Sequence, residues 1–317
     1  MNFKNIFAQL NILANCKKYN LSPWQCPQFL FSMMGLIIIG SSLLAFALGN
    51  RYFEDPVMVA LMVLLITAIL FIIAFTITNS FERLAEASRM KTEFINIVSH
   101  QLRAPLTSLS WSIELLISGK LGKIEEKQIE YFKIIKENSN RMKELISDLL
   151  TVSRIETVNF SIKKEDVSLE AIIEELISKF NPFANASNVE IGFIKKADLP
   201  KVFTDPSCVR QAIENLLDNA IRYIKGKGKV VISLERKGKS LYFEIKDNGV
   251  GIPKEEQKYI FQKFFRSENA LRYQTQGSGL SLYIVKSIIE KIGGETGFKS
   301  QEGIGSTFWF ILPVSKK

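Results

Sequence analysis

Residues 205–223, DPSCVRQAIENLLDNAIRY, predict one helix with two asparagines on the same face. Asp205 is a good N-cap residue, because a carboxylate there can accept hydrogen bonds from the free N–H groups of the first turn. Asn215 and Asn219 lie four residues apart, so both side-chain oxygens can face one point. That arrangement suits a hard cation such as Mg²⁺, which keeps several waters and bridges phosphates. Such pairs also occur on ordinary solvated helix faces, so both interpretations stay open.

A glycine-containing segment follows this helix. DNGVGIP at 247–253 comes directly after a predicted strand, LYFEIK at 241–246. Its glycines permit positive φ and a close backbone approach, and a carboxylate at the end of a strand can accept the exocyclic amine of adenine. A DNG sequence by itself is also a common hairpin turn.

Two more glycine segments occur at 277–282, GSGLSL, and at 303–307, GIGST. The first begins a predicted helix, where unpaired N–H groups and the positive end of the helix dipole favour phosphate. Three glycine segments and the asparagine helix, in this order, favour a nucleotide site.

Short strands alternate with helices over residues 159–317, which predicts an α/β sandwich domain. These strands are VVISLE at 230–235, LYFEIK at 241–246 and TFWFIL at 307–312.

Residues 79–158 are predicted to form a helical hairpin. Apolar residues recur at steps of three and four over 81–116, which indicates one helix with one seam. Residues 118–122 break the pattern, and a second stripe with the same period covers 124–152. A lone two-helix hairpin buries too little surface to be stable. We therefore expect a homodimer, in which two helices per chain form a four-helix bundle.

His100 is the only histidine in the chain. It lies two residues from both Val98 and Leu102, about 200° around the helix from each, and should therefore face solvent. A lone histidine is usually structural, but an exposed imidazole opposite a seam has no packing role. Its neutral form has a free ring nitrogen that can attack phosphorus. Pro105, one turn later, removes a backbone donor and should bend or loosen the helix.

The segment SHQLRAPL at 99–106 resembles the phosphoacceptor box of sensor histidine kinases. The later segments match that family in order: the asparagine helix is similar to its N box, the three glycine segments to its glycine boxes, and Phe261, Phe264, Phe265 and Arg266 to its F box. The resemblance covers about residues 80–315. It implies a membrane-anchored α plus α/β protein, with an ATP-binding domain of the gyrase, heat-shock and histidine-kinase type.

The resemblance also implies roles for individual residues. His100 would be the phosphoacceptor, with Gln101 and Arg266 as further catalytic residues. Asn219 would be the Mg²⁺ ligand with Asn215 in support, and a lid would lie at about 266–276. The implied ATP-binding residues are Asn215, Arg222 (a phosphate contact), Tyr223 (a wall of the pocket), Asp247 (the adenine reader), Gly249, Gly251, Phe265, Gly277, Ser278, Gly279 and Leu280.

Three positions depart from the commoner family pattern. Gln101 replaces the acidic residue that follows the histidine, and an amide cannot take a proton. Ala104 stands where Thr or Asn would help to position the water that dephosphorylates the partner. Ser281 replaces a glycine at the phosphate loop, which is a mild change because its side chain is small.

Two uncharged stretches, 30–49 and 57–78, are each long enough to cross the hydrocarbon core of a bilayer. They predict a transmembrane hairpin over 30–78 whose connector, 50–56, is too short for an external sensing domain. The segment 1–29 carries Lys4, Lys17 and Lys18 with no acid, so the positive-inside rule predicts both termini in the cytoplasm. The expected location is the inner or plasma membrane. The first twenty residues fit either a membrane-surface helix or an ordinary buried amphipathic helix.

Composition is consistent with this organisation. The chain has 317 residues, of which 47% are hydrophobic and 23% charged, and this excludes a wholly disordered chain. The mean hydropathy of +0.10 is high for a chain with 41 Lys and Arg, so the apolar residues must be unevenly distributed. The net charge of +9 fits an anionic membrane surface or a lysine-rich exterior. No basic run is interleaved with aromatics, so we expect no nucleic-acid partner.

The expected function is ATP-dependent autophosphorylation of His100, followed by phosphotransfer to an aspartate in the receiver domain of a response regulator. The alternative is a degenerate ATP-binding membrane scaffold with little kinase activity, for which Gln101 is the only support in the sequence. A third hypothesis is an ATP hydrolase or clamp of the gyrase and heat-shock type. Those proteins use a glutamate to activate water where this chain has Asn215, which argues for transfer over hydrolysis.

Overall fold

The structure is a computed structural model, and it describes residues 27–122, 124–157, 160–196, 199–273 and 277–314. The chain forms two compact units, and the boundary between them falls within the second helix. The first comprises the described residues up to Phe94 together with Thr157, and the second comprises 95–156 and the described residues from Phe160 onward. The helices are α1 Pro27–Tyr52, α2 Pro56–Ile117, α3 Glu126–Glu156, α4 Leu169–Ala186, α5 Pro206–Arg222, α6 Glu268–Tyr273 and α7 Ser281–Lys291.

The first unit contains two helical stretches long and apolar enough to cross a membrane, Phe31–Tyr52 and Pro56–Ser80. They contain the predicted spans 30–49 and 57–78 almost entirely. The helices pack closely near the connector, since a Cβ added at Gly49 would lie 2.6 Å from Cγ1 of Val59. Ser42 and Thr67 share a hydrogen bond of 2.8 Å between the two helices. The predicted N-terminal segment lies mostly outside the described residues.

The second unit begins with a helical hairpin. It consists of the later part of α2 and of α3, as predicted, and α2 continues without interruption through Pro105. Leu106 and Ile113 are buried in the single chain, at 8% and 3% exposure. Leu102 and Leu109 belong to the same seam but remain 45% and 41% exposed. The hairpin therefore leaves part of its apolar seam uncovered within one chain.

The α/β domain follows the hairpin. Its five-stranded sheet has the order β2-β4-β5-β7-β6, in which β2 and β4 are parallel and the other neighbours antiparallel. A separate antiparallel pair joins β1 and β3. The strands are β1 Glu165–Val167, β2 Val189–Lys195, β3 Val202–Thr204, β4 Gly228–Lys237, β5 Ser240–Asp247, β6 Glu295–Gln301 and β7 Gly305–Pro313.

One hydrophobic core unites this domain. Alternate residues of β4, β5 and β7 are buried, while the residues between them are more exposed, because side chains alternate across a strand. The buried faces of α4, α5 and α7 belong to the same cluster. Val152 and Ile155, at the end of α3, also belong to it. The predicted fold class is thus confirmed for one chain: two apolar helices, a helical hairpin and an α/β domain.

Candidate functional site

A cavity of about 520 Å³ lies in the second unit. Helices α3, α4 and α5, the end of β5 and the loop before α7 all contribute to its wall. Most of the ATP-binding residues that the sequence suggested meet here, together with the suggested metal ligand Asn219 and the suggested catalytic residue Arg266. They are Asn215, Asn219, Arg222, Tyr223, Asp247, Gly251, Phe265, Arg266, Gly277, Ser278 and Gly279.

Helix α5 presents the asparagine pair. Asp205 caps the helix, because its Oδ1 accepts hydrogen bonds from the backbone N–H groups of Ser207 at 2.9 Å and Cys208 at 3.4 Å. Asn215 and Asn219 then lie one turn apart on the wall of the cavity. Among the described residues, the buried Nδ2 of Asn215 has no hydrogen-bond partner. A buried donor without a partner is rare, and beside a cavity it fits a polar ligand. The amide oxygens of the pair fit Mg²⁺ bound together with phosphates.

Asp247 ends β5 at the other wall of the cavity and is only 7% exposed. Its Oδ1 accepts hydrogen bonds from the backbone N–H groups of Gly249 at 2.8 Å and Ser306 at 3.2 Å. Burial raises the pKa of Asp247 to about 6, although both hydrogen bonds act to lower it. Gly249 is not among the residues that line this cavity, and a Cβ there would lie 2.4 Å from the carbonyl oxygen of Tyr223. In this structure Gly249 orients Asp247.

Two glycines of the last glycine segment differ in what surrounds them. Gly305 has φ +132°, and a Cβ there would lie 2.2 Å from the carbonyl oxygen of Asp247. Gly303 has φ +74°, but nothing lies within 4 Å of its Cβ position. We therefore expect Gly305→Ala to destabilise the domain by about 2 kcal/mol or more, through strain and a backbone clash. Gly303→Ala should cost only about 1 kcal/mol, through its backbone conformation alone.

Thermal unfolding of the detergent-solubilised full chain, compared for the two alanine variants, measures this difference. Equal losses of stability would contradict the importance of the close approach to Asp247.

Arg266 is the first residue of the predicted lid, 266–276, and contacts one residue within it and one directly after it. Its guanidinium donates hydrogen bonds to the carbonyl oxygens of Ala270 at 3.3 Å and Gly277 at 3.4 Å. Residues 274–276 lie outside the described residues, so the lid is described only in part. Burial raises the pKa of Tyr223, and the neighbouring Arg266 acts against this rise. Arg266 thus lines the cavity and links the start of the segment to Ala270 and Gly277.

The glycine loop before α7 is built around Ser278. Its Oγ accepts a hydrogen bond from the backbone N–H of Leu280 at 3.1 Å and donates one to Oδ2 of Asp148 at 2.5 Å. Gly279 has φ +68°, and a Cβ there would lie 2.8 Å from the backbone of Phe264. Leu280 is 2% exposed and belongs to the hydrophobic core. Its side chain is therefore placed to support the loop rather than to contact a ligand.

His100 and Gln101 lie on α2 with exposed side chains. Among the described residues, those that line the cavity do not include either of them. The structure thus separates the suggested phosphoacceptor from the suggested nucleotide site. Several further residues of the cavity wall were not predicted from the sequence, because no motif marks them. They are Arg141, Glu144, Leu145 and Asp148 on α3, and Lys179 and Phe180 on α4.

Comparison with protein families identifies two domains. Residues 90–158 match the His Kinase A (phospho-acceptor) domain. Residues 204–316 match the family of histidine kinase-, DNA gyrase B-, and HSP90-like ATPases. The first match contains His100, and the second contains the asparagine pair and all three glycine segments.

The chain is also similar to a curated protein and to solved structures. The circadian input-output histidine kinase CikA of Synechococcus elongatus is 32% identical over 229 residues, which are 72% of this chain and 30% of CikA. This chain therefore spans less than a third of that relative's length. Full-length ShkA in complex with AMPPNP has a TM-score of 0.59 at 25% identity, over 71% of this chain and 46% of ShkA.

The histidine kinase ThkA, in complex with the response regulator TrrA, has a TM-score of 0.51 at 25% identity. This likeness covers 74% of the chain and 64% of ThkA. The two domain matches, the curated relative and the fold agree with one another. The chain therefore belongs to the histidine kinase family, with a phosphoacceptor domain followed by an ATPase domain.

Proposed function

We propose that this chain is a sensor histidine kinase that transfers the γ-phosphoryl group of ATP to His100. The observation that carries this proposal is the exposed His100, within a His Kinase A domain, on the same chain as a cavity lined by Asn219 and Asp247. In the reaction, a neutral ring nitrogen of His100 forms a bond to the γ-phosphorus. The bond from that phosphorus to the oxygen of ADP breaks, and the imidazole N–H proton passes to a base or to solvent.

Different residues of the cavity bind different parts of ATP. The carboxylate of Asp247 accepts a hydrogen bond from the exocyclic amine of adenine, and Tyr223 forms a wall of the pocket. The glycine loop around Ser278 offers backbone N–H groups to the phosphates. Arg222 and Arg266 supply positive charge. Because the two domains must come together, His100 reaches the nucleotide only when the ATPase domain is suitably placed against the hairpin.

Asn219, with Asn215 in support, would hold Mg²⁺ together with the phosphates. When bound, this ion neutralises charge on the phosphoryl oxygens. The fit rests on the donor set, two amide oxygens one turn apart, and on the buried Nδ2 of Asn215 that has no partner among the described residues.

The proposed partners are a second copy of the chain and the receiver domain of a response regulator. The exposed seam residues Leu102 and Leu109 support the homodimer, since a second hairpin would cover them. The likeness to ThkA, which was solved with the response regulator TrrA, supports the second partner. Two apolar helices support membrane anchoring. The excess of lysine before the first of them supports cytoplasmic termini.

Labelling with γ-³²P-ATP tests the proposal against its alternative, a degenerate ATP-binding scaffold. The full chain in detergent or nanodiscs should incorporate a label that is labile in acid and stable in alkali. ATP binding without labelling would favour the scaffold, and Gln101 would then be the first position to change to Glu. Rapid release of phosphate without labelling would favour a hydrolase.

The raised pKa of Asp247 makes ATP affinity depend on pH. Only the ionised carboxylate accepts a hydrogen bond from the adenine amine well, and burial raises the pKa of Asp247 to about 6. Protonation therefore competes with binding as the pH falls through that value. We expect the Kd for MgATP to rise by about tenfold between pH 7 and pH 5.

Fluorescence titration with an ATP analogue across this range measures the effect. Asp247→Asn is the matched control, because it binds more weakly at pH 7 but has no carboxyl group to titrate. A tenfold change that persists in Asp247→Asn would assign the titration to another group.

A further inference from the structure

The glycine loop assigned to the phosphates of ATP is in contact with α3. Ser278 donates its hydroxyl to Oδ2 of Asp148 at 2.5 Å, and Asp148 is part of the cavity wall. A carboxylate is an oxygen anion, as a phosphate is, and it accepts hydrogen bonds from the same donors. The loop therefore already holds an anionic group that comes from the phosphoacceptor hairpin.

A second acidic residue of α3 reaches the other suggested phosphate contact. Glu144 lies one turn before Asp148, and its Oε1 is 3.9 Å from Nη2 of Arg222. Arg222 is held further by Asp218, at 2.7 Å. Burial raises the pKa of Asp148, the hydrogen bond from Ser278 lowers it, and the nearby Asp218 raises it. The three acidic residues Glu144, Asp148 and Asp218 line the same cavity as Ser278 and Arg222.

Contacts outside the cavity keep α3 in this position. Glu156 accepts a hydrogen bond from the hydroxyl of Tyr283 at 3.0 Å and forms an ion pair with Lys263. Val152 and Ile155 are 6% and 2% exposed and belong to the core of the ATPase domain. The placement of Asp148 therefore depends on the packing of the end of α3 as well as on its own hydrogen bond.

We propose that Glu144 and Asp148 form an electrostatic latch that opposes ATP binding while α3 is docked on the ATPase domain. The latch occupies Ser278 and Arg222 and repels the phosphates that would replace it. ATP binding and release of α3 are then coupled, and by linkage each favours the other. The proposal rests on the proposed function, because it takes ATP as the ligand of the cavity. Through this latch, the hairpin controls the affinity of the cavity for ATP.

The first test is Asp148→Asn in the full chain, with Kd values measured for MgATP and for adenosine. This change removes the charge and keeps the size of the side chain. We expect MgATP to bind about fivefold more tightly and adenosine, which has no phosphates, to bind with little change. Glu137→Gln is the control, since Glu137 is an exposed acid on the same helix, and it should leave both affinities unchanged.

A second variant acts from outside the cavity. Glu156→Lys replaces the ion pair with Lys263 by a repulsion, so it should undock α3 and tighten MgATP binding in the same direction. Adding Lys263→Glu restores opposite charges and should return the affinity toward that of the wild type. A structural defect would not be rescued by this exchange of charges.

Three outcomes contradict the latch. If Asp148→Asn binds MgATP as the wild type does, or more weakly, then Asp148 does not oppose binding. If the affinities for MgATP and adenosine rise equally, the effect does not act on phosphates. A wild-type chain that binds no nucleotide at all contradicts the proposed function itself, and the latch with it.

Discussion

His100→Gln is expected to abolish autophosphorylation while ATP binding survives. The variant removes the only imidazole in the chain, and an amide nitrogen is not nucleophilic enough to attack phosphorus. Loss of a nucleophile commonly lowers turnover by about 10⁴-fold or more. Nucleotide affinity should stay within about twofold of the wild type, because His100 lies outside the cavity wall that the structure describes.

The experiment measures γ-³²P incorporation and the Kd for MgATP on the same preparation of full-length protein. Thermal unfolding checks that both proteins are folded, and an exposed side chain such as His100 should contribute little to stability. A label of equal intensity in wild type and variant would show that another residue accepts the phosphoryl group. Loss of ATP binding in the variant would contradict the separation of the two sites.

Asn219→Ala is expected to lower the autophosphorylation rate by about 10²-fold. Asn219 lies on the cavity wall one turn from Asn215, and the variant leaves one amide of the pair. The rate should fall because Mg²⁺ and the phosphates are held less well. The measurement that separates this cause from a general defect is nucleotide affinity with and without Mg²⁺.

In the wild type, Mg²⁺ should tighten ATP binding markedly, and in Asn219→Ala this gain should largely disappear. Asn181→Ala is the matched control, because Asn181 is an exposed helical asparagine of the same domain. It should behave as the wild type in both assays. A variant Asn219→Ala that keeps the full effect of Mg²⁺ would place the metal ligand elsewhere.

The strands show where a local pattern suffices for prediction and where it does not. The three predicted strands correspond to β4, β5 and β7, the three central strands of the sheet. Their alternating apolar residues are buried by the core, so the pattern is visible in the sequence. Four strands were not predicted: β2 and β6, which are the two edges of the sheet, and β1 and β3, which have three residues each. Edge strands bury less and carry a weaker apolar pattern.

Among the suggested nucleotide-binding residues, some positions could be predicted from local spacing and others could not. Asn215 and Asn219 come together because helical spacing puts them on one face of α5. The glycine segments are short, and their glycines permit the backbone conformations that a close approach requires. Leu280 and Gly249 were assigned to ATP by resemblance, whereas the structure places the first in the core and the second behind Asp247. Only the packing of each loop against its neighbours distinguishes a residue that lines a cavity from one that supports it.

Three features follow from local patterns in the sequence: the apolar hairpin, the helical seam with His100 opposite it, and the order of the asparagine helix and the glycine segments. Each of these depends on spacing within one element, and residue type together with helical or strand period is enough to define it. The contribution of α3 to the cavity, by contrast, depends on long-range packing. Ser278 and Asp148 are 130 residues apart, and no period connects them. They meet because Val152 and Ile155 are buried with the core of the ATPase domain, and burial of apolar surface is non-directional, so the sequence does not specify its partner.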